Sequence, residues 1–156
     1  MTARRPTKPC KQPASELTVL GLFESGVGGL SVAREIMRQL PTYPIIYVAD
    51  QVNAPYGQRP LAEIRDLAGG ISRFLLEQGA QVIVVACNTA SAAALHWLRH
   101  EFPETPFVGM EPAVKPAAER TCTRHVGVIA TAATFQGELF ASLLDRFGSD
   151  VTVHTQ

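Results

Sequence analysis

The feature of this sequence that most readily does chemistry is a cysteine set between an apolar run and a polar pair. Cys87 follows Val82-Ile83-Val84-Val85-Ala86 and precedes Asn88-Thr89. A short apolar run of that kind reads as a buried strand, and Asn and Thr cap helix starts well. A thiol at the junction faces the positive end of a helix, which favours thiolate. The competing reading is a buried packing cysteine. A cysteine phosphatase would need an arginine six residues on, where the chain has Ala93. A cysteine hydrolase would need a histidine, and His96 lies more than two turns along the same helix, pointing away.

Gly26-Val27-Gly28-Gly29 lies between a strand and a helix, where free N–H groups and the helix dipole could hold an anion. A dinucleotide is one reading, with Asp50 at the end of the second strand accepting from a ribose. The last glycine of G-x-G-x-x-G falls on Ser31, however, and a partial match is a weak signal. A carboxylate or a merely tight turn are the alternatives. His96 and His100 stand four apart on a helix, a spacing that can hold a metal. No third ligand is evident beyond Glu101, so exposed histidines are the simpler reading and no metal is expected. Cys122 with His125 is one half of a site at most. Outside the first 16 residues the only lysine is Lys115, between Pro112 and Pro116, a poor setting for a Schiff base.

These residues need strands and helices to hold them, and the chain supplies both in alternation. Leu17 to Phe23 is an apolar run, and Leu30, Ala33, Ile36, Met37 and Leu40 then recur at helical spacing. Ile45 to Ala49 has the form of a parallel strand covered on both faces. After a turn-rich loop, Leu61, Ile64, Leu67, Ala68, Ile71, Phe74 and Leu75 make one helical stripe, weakened by Gly69-Gly70 and ended at Gly79. Val82 to Ala86, a helix over Ala90 to His100, and a strand from Pro106 to Met110 follow. A short helix interrupted by Pro116 leads to a fifth strand, Val126 to Ala130. A helix carrying Leu139, Phe140, Leu143, Leu144 and Phe147 and a last strand at Val151 to Val153 complete the pattern. The fold class is α/β with a mostly parallel sheet flanked by helices. Ligands in such sheets sit at the carboxyl ends of strands, which selects the loops Glu24 to Gly29, Asp50 to Gly57 and Cys87 to Ser91.

Composition agrees. The 156 residues are 46% hydrophobic and 18% charged, enough to bury a core, and no apolar run is long enough to span a membrane. Lys plus Arg equals Asp plus Glu at 14 each, so no excess of charge draws the chain to nucleic acid or an anionic membrane. Three cysteines without a CxxC pair exclude a disulfide scaffold and fit a reduced, cytoplasmic setting. The first 16 residues hold Arg4, Arg5, Lys8 and Lys11 among Pro6, Pro9 and Pro13, and read as a disordered basic extension carrying an incidental Cys10.

Four segments in order carry a resemblance: Phe23 to Val32, Pro55-Tyr56-Gly57, Ala86 to Ser91, and Glu111 to Ala117. Together they resemble the glutamate racemases, over a stretch running from about Leu17 to the end. The resemblance implies cofactor-independent interconversion of L- and D-glutamate for peptidoglycan synthesis, with two cysteines acting on opposite faces of the substrate. It implies Cys87 as one acid/base residue and Glu24, Ser25, Tyr56, Gly57, Asn88 and Thr89 as substrate contacts. Where the family carries aspartate this chain has Glu24, and one more methylene moves a carboxylate by about 1.5 Å. The family's Gly-Cys-Thr-His motif, with the second cysteine, would lie beyond Gln156. The expected organisation is therefore a first α/β lobe over 17–120 and a truncated beginning of a second over 121–156. Large apolar side chains of that second part are expected to lack cover, favouring a homodimer. The alternatives are a catalytically deficient relative that binds an amino acid, and a dinucleotide-binding domain.

Overall fold

The computed structural model describes residues 18–148 and 150–156. The basic segment 1–16, with Cys10, lies outside the described residues. Strand β1 (Val19–Glu24) is central, hydrogen-bonded to β2 (Ile45–Ala49) on one side and β3 (Ala80–Val85) on the other. Strand β4 (Phe107–Val108) extends the sheet beyond β3, and all pairings are parallel, in the order β2-β1-β3-β4. The crossovers are helices α1 (Leu30–Gln39), α2 (Leu61–Glu77) and α3 (Asn88–Glu101). A separate parallel pair, β5 (His125–Val128) and β6 (Thr152–Thr155), is accompanied by α4 (Val114–Arg120), α5 (Ala132–Gln136) and α6 (Glu138–Phe147).

Strand alternation divides the core in two. Phe23, Ile83 and Val85 face α2 and α3, where Ile64, Leu75 and Leu98 are fully buried. Leu20, Leu22 and Val84 face the other side, against Ala33 of α1. Gly69, unfavourable by helix propensity, has a packing reason: a Cβ there would lie 3.0 Å from the Trp97 ring, so the glycine lets α2 and α3 approach. Gly79 has φ +90°, and its left-handed backbone turns the chain from α2 straight into β3.

Several local expectations shift. Strand β2 does pack apolar side chains on both faces, Ile46 and Val48 on one and Ile45 and Tyr47 on the other, but as an edge strand it stays half-buried. Leu30, Met37 and Phe74, assigned to buried stripes by spacing, are about half exposed. Pro116 does not interrupt α4. It is the third helical residue, where its missing N–H has no intrahelical acceptor to lose. The last expected helix is α6, and a short helix that was not expected, α5, precedes it across Gly137. A Cβ at Gly137 would meet the Ala92 carbonyl oxygen at 2.6 Å, so the glycine allows close approach to α3. The α6 stripe is not bare: Phe140 and Leu143 are buried, because α5 and α6 pack on α3 and α6 also packs on α4. The apolar patch from which dimerisation was expected is thus mostly covered within the chain.

Candidate active site

Hydrogen bonds just past the strand ends bring three loops together. Asp50 N–H donates to the Glu24 carbonyl at 2.8 Å, and Ala86 N–H donates to the Phe23 carbonyl at 2.8 Å. Cys87 therefore emerges beside Glu24-Ser25 at the carboxyl edge of the sheet. Cys87, rather than Asn88 or Thr89, is the residue that caps α3: its backbone is extended and its Sγ accepts the Ala90 N–H at 3.4 Å. Ser91, one turn into α3, donates to the Val85 carbonyl at 3.0 Å and accepts the Met110 N–H at 2.9 Å. It pins β3, α3 and the chain after β4 in one place.

The glycine loop holds an anion, and the anion is its own. Glu24 curls back so that Oε2 accepts the N–H groups of Gly26 at 2.9 Å and Gly29 at 3.4 Å, while Oε1 accepts the Ser25 hydroxyl at 3.0 Å. The extra methylene relative to aspartate is taken up by this curl. Ser25 Oγ also lies 3.5 Å from Cys87 Sγ, so hydroxyl, carboxylate and thiol form one chain of contacts. The dinucleotide reading loses both of its supports here. The Gly26 and Gly29 amides are occupied by Glu24, and the Asp50 carboxylate accepts the Tyr56 hydroxyl at 2.6 Å and the Asn53 amide at 2.9 Å.

Burial works to raise the Glu24 pKa. The Gly26 N–H, the Ser25 hydroxyl, the Gly29 N–H and the Cys87 thiol outweigh it, and the net value falls below the ordinary 4.5. A depressed carboxylate stabilises the fold while ionised. That contribution is complete above pH 4.5 and is lost as pH falls through the lower folded value. Urea midpoints measured as pH is lowered below 4.5 should fall less steeply for Glu24→Gln than for the parent chain. Parallel curves would contradict the assignment.

A cavity of about 710 Å³ opens over this edge, and Glu24, Ser25, Cys87, Asn88 and Thr89 line it. Tyr56 and Gly57 stand behind the wall. Tyr56 is buried, its phenol pushed well above the usual range first by burial and then by Asp50. Gly57 backs onto Thr131, whose Cγ2 would be 2.6 Å from a Cβ there. The far wall comes from residues 110–114 and 126–131 with Thr134.

Two contributors were not picked out from the sequence. Thr131 follows β5 and caps α5; its Oγ1 lies 3.0 Å from both Thr89 Oγ1 and Thr134 Oγ1. The strand-end rule applied to the fifth strand would have found it. Tyr47 is the one polar residue in the β2 run, and its buried hydroxyl has no partner among the described residues. Burial, then the Glu24 and Cys87 charges, raise its pKa. The remaining candidates lie elsewhere. His96 and His100 are exposed on the outer side of α3, and Cys122 is exposed and outside the cavity.

Known proteins share this architecture. Glutamate racemase of Pseudomonas aeruginosa is 54% identical over 143 residues, which are 92% of this chain and 54% of that protein. The Escherichia coli glutamate racemase structure in complex with L-glutamate and the activator UDP-MurNAc-Ala superposes with a TM-score of 0.81 at 38% identity. It is covered to 53% by 90% of this chain. The Francisella tularensis glutamate racemase in complex with D-glutamate gives a TM-score of 0.73 at 30% identity, with 88% of this chain and 52% of that one covered. The chain thus spans about half the length of the curated relatives it matches. The family model described as Asp/Glu/Hydantoin racemase matches residues 24–155, which run from the last residue of β1 through β6 and take in the whole cavity wall, and on that extent the chain belongs to the Asp/Glu/Hydantoin racemase family.

Proposed function

We propose that this chain carries one catalytic half of a cytoplasmic glutamate racemase that supplies D-glutamate for peptidoglycan, with Cys87 as the acid/base residue on one substrate face. The observation that carries the reading is the Cys87–Ser25–Glu24 chain of contacts opening into the strand-end cavity. An amino-acid α-proton is weakly acidic, and without an imine to spread the carbanion the base must be close and partly desolvated. Cys87 lines the cavity and is only 4% exposed, which supports this role. Glu24 stays ionised through its loop amides and gives the ammonium group of glutamate a fixed negative partner. Asn88, Thr89 and Ser25 offer donors to its carboxylates. Tyr56 and Gly57 act from behind, by holding Asp50 and the Thr131 wall. Inversion needs a second acid/base group on the other face, and among the described residues Cys87 is the cavity's only thiol.

The reading is tested by thiol mapping. Iodoacetamide labelling followed by peptide mass analysis should show Cys87 protected by millimolar glutamate and unprotected by lysine. Cys122, exposed, should label at the same rate in both. A Cys87 that is inert with and without glutamate would return it to the packing reading.

A further inference from the structure

The sequence left His125 as half of a site with Cys122, and the fold supplies a different second half. Strands β5 and β6 place His125 opposite Thr152 and Gly127 opposite His154. Residues 125 and 127 share one face of the strand, so His154 and His125 are diagonal neighbours on that face. Gly127, having no side chain, leaves the space between them open. The two exposed rings stack at 5.2 Å between centroids and 17° between planes, with His125 Nδ1 2.9 Å from His154 Nε2.

We propose that His125 and His154 form a two-imidazole chelate for a divalent cation of the Ni(II)/Cu(II) class, a site independent of Cys87 and the racemase reading. Metal–nitrogen bonds of about 2.0–2.1 Å spanning the 2.9 Å separation subtend about 90° at the ion. That is the cis angle of tetragonal and octahedral ions, and narrower than a tetrahedral ion prefers. Imidazole donors suit Ni(II) and Cu(II), and water completes the coordination, since no third His, Cys, Asp or Glu joins the pair among the described residues. In the free chain one ring N–H is shared between the two nitrogens. On binding, that proton moves through solvent to the other nitrogen of its own ring, and each neutral imidazole gives one lone pair to the metal. The near-parallel rings must turn about χ2 for the lone pairs to meet, a soft torsion in side chains this exposed.

The test is a calorimetric Ni(II) titration of the full chain in a background that removes competing histidine and cysteine ligands. That background is His96→Gln, His100→Gln, Cys10→Ser and Cys122→Ser. One Ni(II) per chain is expected, held more tightly than Zn(II). His125→Gln and His154→Gln should each weaken it by about tenfold or more, because either change turns a chelate into a single ligand. The double variant should bind no more tightly than either single one. Both positions are exposed, and unchanged melting temperatures without metal will separate lost ligation from lost fold. No saturable binding in the background chain, or undiminished binding in either single variant, would overturn the proposal.

Discussion

Cys87→Ala is expected to lower exchange of the glutamate α-proton by at least about 10²–10⁴-fold, the usual loss on removing one positioned acid/base group. The fold should survive the change, because α3 is retained by its packing: Ala90, Ala94, Leu95 and Leu98 are buried against the sheet and α2. The Sγ cap on the Ala90 N–H, about 0.5–2 kcal/mol, and the 3.5 Å contact with Ser25 Oγ are lost. A variant that melts near the parent temperature yet shows no exchange places the loss in chemistry. A variant that keeps the parent rate would remove Cys87 from the mechanism.

The second large effect is expected at Gly29. A Cβ there would stand 2.8 Å from both Cβ and Cγ of Glu24 and 2.9 Å from the Tyr47 hydroxyl, so Gly29→Ala must displace the carboxylate from its loop. Overpacking of that order costs about 1–3 kcal/mol. Moving a positioned group by about 1 Å costs on the order of 10²-fold in rate. Gly70→Ala is the control: nothing lies within 4 Å of a Cβ at that exposed position in α2, and alanine should stabilise the helix by about 0.8–1 kcal/mol. The denaturation midpoint should fall for Gly29→Ala and rise for Gly70→Ala, and only Gly29→Ala should slow exchange. Parent-like exchange in Gly29→Ala would mean that the Glu24 curl is not needed.

What the sequence could and could not disclose follows from the range of each signal. Apolar runs and helical stripes are local, so β1, β3, α2 and α3 were legible to within a few residues. Strand order is not local. Nothing in Ile45 to Ala49 says that β2 lies at an edge, and its half-buried state depends on neighbours far along the chain. Cys87 was legible because a strand end and a helix start meet at it. That it is itself the cap was not, because the choice among Cys87, Asn88 and Thr89 depends on where the backbone leaves the extended region. The loop Gly26 to Gly29 was legible as an anion site. Glu24 as its occupant was hidden, since a side chain that folds back on its own loop leaves no periodic trace. Thr131 follows the fifth strand, whose end the strand-end rule also covers, and His154 was hidden because its partner lies 29 residues away.

The central claim is that Cys87 moves the α-proton of glutamate, and proton NMR of D-glutamate incubated with the 156-residue chain in D₂O tests it most directly. One thiol in the cavity can take a proton from one face and return a solvent deuteron to that same face. The predicted result is slow loss of the α-proton signal with the configuration retained, and no loss with Cys87→Ala. Absence of exchange in a folded chain, or exchange that persists in Cys87→Ala, would contradict the account.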